Sequence, residues 1–200
     1  MDSAAKKLDE RYTYGDYKTW DDDTRWELID GEAFCMSPGA SNYHQLLFGA
    51  LHMELALRFK GKKCKVYAAP FDVLLPNGDE DEDDIVNVVQ PDIMIVCDRS
   101  KIHFRGIIGA PDVVFEILSP STSKRDLSVK LGLYERAGVR EYFVVNPYGE
   151  SVTAFGENNG GRFSKETVYS ASDVLKFDTF AELEIPLAPI FDELSPFGGE

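Results

Sequence analysis

Val113-Val-Phe-Glu-Ile-Leu118 decides the fold. Apolar side chains fall on both faces of this run, with Glu116 alone among them. Such a strand belongs at the centre of a sheet, covered on both sides, so Asp112 to Leu118 is predicted to be a central strand. Glu116 then has no water on either face. An unpaired buried carboxylate is costly, or it takes up a proton. Glu116 therefore needs a cation: an arginine, a lysine or a metal ion.

The preceding segment poses the same question at Asp92. Lys65 to Leu75 and Ile85 to Val96 read as two strands joined by a long tip. Pro91 cannot donate to a ladder and marks an edge or a strand start. Asp92 follows it and opens Ile-Met-Ile-Val-Cys. Neighbouring strands lie about 4.8 Å apart, so two carboxylates on one face can share an ion. Two acidic side chains completed by waters are a usual magnesium site. Such an ion lowers the pKa of a bound water and stabilises charge on a phosphate under attack. The plainer readings also stand: Asp92 as a cap, and Glu116 paired with a core cation.

Downstream, Ser123 and Asp126 form a capping box for a helix that ends at Gly138. Leu127, Leu131 and Tyr134 make its core-facing stripe. Lys130 stands at the border of that stripe and can reach along it. It either pairs with Asp126 at i, i+4 on the surface, or aims its ammonium at the water or phosphate beside the metal. Glu141 to Asn146 is another buried strand, Pro147-Tyr-Gly a turn, and Ser151 to Phe155 with Arg162 to Tyr169 a hairpin. Pro186 is expected to open a short terminal helix.

Upstream, Thr13 and Asp16 cap a short helix over Tyr14 to Trp20. Asp30-Gly31 between Trp26-Glu-Leu-Ile and Glu32-Ala-Phe-Cys-Met signals a hairpin. Ser41 can cap a long helix with apolar residues at Tyr43, Leu46, Leu47, Leu51, Leu55 and Phe59, closed by Gly61. The expected fold class is α/β, a mixed sheet flanked by helices, with an N-terminal hairpin and a C-terminal β extension.

Two hundred residues fit one domain. It is assigned here to residues 12–194, with flexible ends at 1–11 and 195–200. No run approaches the roughly 20 apolar residues that span a bilayer, and the polar start is no signal peptide, so the expectation is a soluble cytoplasmic protein. Cys35, Cys64 and Cys97 are odd in number and form no C-x-x-C. They are expected to be small buried hydrophobes in a reducing compartment rather than disulfides or zinc ligands. The net charge of -14 opposes generic nucleic-acid binding. Part of it is the run Asp79 to Asp84, a solvated loop that lacks calcium-loop spacing. Lys60, Lys62, Lys63 and Lys65 form a separate basic cluster.

The chain resembles the restriction-endonuclease family of the Uma-two type, within the PD-(D/E)XK nuclease superfamily. The blocks that carry the resemblance are Trp26-Glu-Leu-Ile-Asp-Gly-Glu, Met36-Ser-Pro, His44 and Gln90-Pro-Asp-Ile-Met-Ile-Val. Further blocks are Gly109-Ala-Pro-Asp-Val-Val-Phe-Glu-Ile-Leu-Ser-Pro-Ser-Thr, Asp126, Lys130 and Gly138-Val-Arg-Glu-Tyr-Phe-Val-Val-Asn-Pro. The resemblance implies a restriction-endonuclease-like fold. It implies Asp92 and Glu116 as magnesium (or manganese) ligands, the carbonyl of Ile117 helping, and DNA as substrate. Leu118 stands at the E-x-K lysine position, and the family pattern is similar to one in which that lysine has moved to the next helix, as Lys130. His44 matches a family position and is either a contact to water or phosphate, or a structural histidine. Glu27 and Glu32 flank the hairpin turn, where one could add a ligand; Asp126 is a further accessory. A homodimer would let two sites cut two strands. The rival reading is a catalytically inactive nuclease fold used for binding or assembly.

Overall fold

The computed structural model of the chain describes residues 10–21, 24–36, 39–119 and 126–197, apart from the side chains of 126, 127 and 195–197. The expected flexible ends lie mostly outside the described residues, as does the helix cap at Ser123.

The chain opens with α1 (Tyr14–Tyr17), shorter than expected, with the Asp16 carboxylate accepting from the Thr13 N–H at 2.9 Å. The hairpin β1 (Trp26–Ile29) and β2 (Glu32–Cys35) follows. Asp30 and Gly31 both take positive φ, 52° and 78°, as a tight hairpin turn demands. Next comes α2 (Asn42–Phe59), whose N-cap Ser41 accepts from the His44 N–H at 3.2 Å.

The two long strands expected over 65–75 and 85–96 are each broken in the middle. The pieces are β3 (Lys65–Ala68), β4 (Asp72–Leu74), β5 (Val88–Val89) and β6 (Ile93–Val96). The breaks fall at Pro70 and Pro91, which have no N–H for a ladder. β3 pairs antiparallel with β6, and β4 with β5. The hairpin thus leaves one sheet and enters another, with Pro91-Asp92 at the crossing. The remaining elements are β7 (Gly106–Ile108), β8 (Val113–Ile117), α3 (Leu131–Ala137), β9 (Glu141–Asn146), β10 (Ser151–Asn158), β11 (Phe163–Ser170), β12 (Val174–Lys176), β13 (Glu184–Pro186) and α4 (Ala188–Phe191). A π-helical turn, Asp126–Lys130, leads into α3, which ends at Gly138 with φ 86°. Pro186 ends β13 rather than opening the last helix; Pro189 occupies the first turn of α4.

One sheet has the order β11-β10-β9-β8-β6-β3 and the other β2-β1-β5-β4-β7. β8 runs antiparallel to β6 and parallel to β9, which makes the first sheet mixed, with β8 inside it. Its alternation sorts two cores. Val113, Phe115 and Ile117 pack with Leu47, Leu51 and Leu55 of α2. Val114 packs with Leu133 and Tyr134 of α3 and with Ile29, Val73 and Val89 of the other sheet. Among the described residues no helix is long and apolar enough to cross a membrane.

The cysteines correct the expectation. Cys64 and Cys97 form a disulfide, and Cys35 is free and exposed. The cause is register: Lys65 pairs with Val96, so the residues flanking that pair, Cys64 and Cys97, meet across the ladder. A count of cysteines carries no information about register.

Candidate active site

β6 and β8 place the two carboxylates. Their register pairs Ile93 with Phe115, so one step further along Asp92 stands opposite Glu116. Directly opposed residues of an antiparallel pair are close neighbours. Proline at 91 ends the ladder there, which leaves the Asp92 side chain free to turn to the backbone of β8: its Oδ2 accepts from the Ile117 N–H at 2.8 Å. The same oxygen lies 3.0 Å from His44 Nε2. His44 sits in the first turn of α2 and stacks on Phe48, which stacks on His52. The histidine thereby fixes the Asp92 rotamer from one side and the β8 backbone from the other.

Glu116 has the cation its burial requires. Its Oε1 accepts from Lys130 Nζ at 2.7 Å and from the Tyr134 hydroxyl at 2.8 Å. Lys130 is only 2% exposed. Its Nζ also lies 2.9 Å from Oε1 of Glu27, a residue with no exposed surface. One ammonium thus bridges two buried carboxylates, and the surface pairing with Asp126 is not what holds it. The Asp126 side chain lies outside the described residues. Burial, and then the charge of Glu116, raise the Tyr134 phenol well above its ordinary value, so it stays a donor.

A third set of groups adjoins this one through Gln90. The Gln90 N–H donates to Glu27 Oε1 at 3.0 Å. Its amide nitrogen donates to Asp72 Oδ1 at 2.8 Å and lies 3.3 Å from the Tyr17 hydroxyl, which itself donates to Asp72 Oδ1 at 3.1 Å. Its amide oxygen accepts from Arg25 Nε at 3.1 Å and Nη2 at 2.5 Å. Burial raises the Asp72 carboxyl above its ordinary value, and it raises the Tyr17 phenol, with Asp72 adding to it.

The structure therefore brings Asp92, Glu116, Lys130, His44 and Glu27 into one region. Glu32 is not among them: it is exposed and pairs with Arg11 at 3.1 Å. His103 is exposed. The acidic run, apart from the half-buried Glu80, is exposed around a short turn, Glu82–Asp84. The basic cluster follows the C-terminus of α2, at the far end of that helix from His44. Sequence reading placed Tyr134 in the core only, quoted Gln90 within a family block without giving it a role, and gave none to Asp72, Tyr17 or Arg25. The available signals were the position of Gln90 beside Pro91-Asp92 and of Arg25 two residues before Glu27.

Among the described residues no three His, Cys, Asp or Glu side chains converge as a metal cage. Asp92 and Glu116 offer a two-carboxylate donor set instead. That set suits magnesium, which keeps several waters and takes substrate phosphate oxygens as the rest of its shell.

The chain matches the model of the Uma2 family, described as "Putative restriction endonuclease", over residues 14–188. It is similar to the uncharacterized protein slr1290 of Synechocystis sp. (strain ATCC 27184 / PCC 6803 / Kazusa), 25% identical over 164 residues, or 80% of this chain and 82% of that protein. In fold it is similar to the crystal structure described as a putative nuclease belonging to DUF820 from Anabaena variabilis ATCC 29413. The TM-score is 0.70 with 17% identity, covering 89% of this chain and 96% of that one. This last likeness identifies the architecture as restriction-endonuclease-like.

Proposed function

The chain belongs to the Uma2 family, and from that premise we propose that it is a divalent-metal-dependent endonuclease hydrolysing phosphodiester bonds in DNA. The observation that carries the reading is the opposition of two carboxylates, Asp92 and Glu116, on β6 and β8, with the Lys130 ammonium on Glu116. Leu118 stands where an E-x-K motif has its lysine, and Lys130 delivers an ammonium to the same carboxylate from the next helix.

Asp92 and Glu116 would hold magnesium or manganese, which supplies Lewis-acid polarisation of the phosphate and a more acidic bound water. The protein groups have separate tasks. Lys130 and Tyr134 hold Glu116 Oε1 in one orientation. His44 and the Ile117 N–H do the same for Asp92 Oδ2. Lys130 orients the attacking water and opposes the charge that grows on phosphorus-bound oxygen. Attack in line with the leaving 3′ oxygen leaves a 5′-phosphate. Cutting both strands would use a two-fold dimer.

A second reading, an inactive nuclease fold used for binding or assembly, is favoured by one observation: Lys130 is buried and paired with two carboxylates, as a core cation would be. Plasmid DNA incubated with the protein in magnesium or manganese separates the two. The nuclease reading expects nicking that a chelator stops and that Glu116→Gln abolishes in a folded protein. Wild-type protein that leaves DNA uncut in both metals supports the second reading.

A further inference from the structure

We infer that Arg25 is a phosphate contact of the bound DNA, next to the scissile bond, and that Gln90 is the residue that positions it. The inference rests on the nuclease reading above and names a substrate-binding residue for it.

The first argument is place. The Met36 N–H donates to the Arg25 carbonyl at 2.9 Å, which extends the β1–β2 ladder by one pair beyond Trp26 and Cys35. Arg25 is therefore in extended backbone two residues before Glu27. Side chains at that spacing leave the same face, with Cα atoms about 6.7 Å apart. Glu27 contacts Lys130, and Lys130 contacts Glu116. Arg25 is thus the next residue along that face, at its exposed end.

The second argument is orientation. Gln90 is nine-tenths buried, and each polar group it carries toward this region is engaged. Asp72 and Tyr17 take its amide nitrogen, Glu27 takes its N–H, and its oxygen takes two donors from Arg25. The amide cannot rotate without breaking these bonds. It presents the guanidinium in one plane, and Gln90 lies two residues before Asp92.

The third argument is charge. An arginine that only braced the fold would be expected to face a carboxylate. Arg25 is held by a neutral amide oxygen, and among the described residues no ion pair neutralises it. Its charge acts on Asp72 across the Gln90 amide, and its Nη1 donors remain for a ligand. A guanidinium prepared in this way suits a phosphodiester, which it can meet through parallel N–H bonds. A chain of net charge -14 needs such local cations wherever a phosphate backbone is to lie.

The test is binding of a fluorescent short duplex to full-length protein in calcium, across a salt series, with Arg25→Ala and Arg25→Lys beside the wild type. Arg25→Ala also takes both donors from the buried Gln90 oxygen, so its melting temperature is expected to fall by a few degrees, and binding is measured well below the lowest one. Arg25→Ala should raise Kd about tenfold and reduce the slope of log Kd against log salt by about 0.9, the share of one phosphate. Arg25→Lys should keep the slope yet bind more weakly than wild type, because a lysine has no planar fork for Gln90 to aim. Under cleavage conditions Arg25→Ala should lower kcat/KM at least in proportion to the binding it loses. Wild-type binding that Arg25→Ala matches in both Kd and slope overturns the inference and leaves the nuclease reading standing. Wild-type protein that binds no duplex overturns both.

Discussion

Replacing Lys130 with methionine separates a buried bridge from a surface ion pair. Methionine keeps the length and the apolar stem and removes the ammonium. In the wild type that ammonium lies 2.7 Å from Glu116 and 2.9 Å from Glu27, all three side chains being almost without exposed surface. Its loss leaves two carboxylates facing each other with no countercharge, the situation that costs about 3–5 kcal/mol when one partner of a buried pair is removed. A domain of this size shifts its Tm by about 2–4 °C per kcal/mol. The expected loss is therefore about 10 °C, with a lower urea midpoint at an unchanged slope. Adding Glu27→Gln removes one of the two charges and should recover about half of that loss, since the amide can still accept from the Gln90 N–H. Urea unfolding followed by circular dichroism measures all three variants. A single-variant effect below about 1 kcal/mol, the value for an exposed pair, refutes the buried bridge.

Three further outcomes follow from the structure. Burial raises the Asp72 carboxyl above its usual 3.8, so the folded state holds the proton more readily than the unfolded chain. Stability is then lost as pH rises from that value through the raised one. Asp72→Asn, whose amide oxygen can still accept from Gln90 and Tyr17, should remove that loss; wild-type and variant unfolding curves that stay parallel from pH 3.5 to 6 contradict it. The Cys64–Cys97 bond closes a loop across 33 residues, so Cys97→Ser should lower stability by about 2–4 kcal/mol. In the native protein a thiol reagent should label Cys35 alone, and labelling of all three cysteines would refute the pairing.

Much of this architecture can be read from local pattern. Asp30-Gly31 specified its hairpin, Ser41 its helix start and Gly138 its helix end, because each is a short-range backbone requirement. The apolar run around Glu116 specified a central strand because side chains on both of its faces need cover. What escaped depends on distant pairing. The proline breaks that send one hairpin into two sheets require knowing which strands neighbour β1. The disulfide depends on the β3–β6 register. At the site, Asp92, Glu116 and Lys130 stood out because a charge within or beside an apolar pattern demands a partner. Glu27 and Gln90 sit in ordinary half-polar sequence, and their burial arises only when the second sheet folds over α3.

The nuclease reading requires Asp92 and Glu116 to hold a divalent ion between them, which calorimetric titration of manganese measures. It is run on wild type and on Asp92→Ala, each with and without an uncleavable short duplex. The wild type is expected to bind the ion, at the latest once phosphate is present, and Asp92→Ala is not. Wild-type protein that takes up no manganese with duplex present, or an Asp92→Ala variant that binds it as tightly, rules out the shared site.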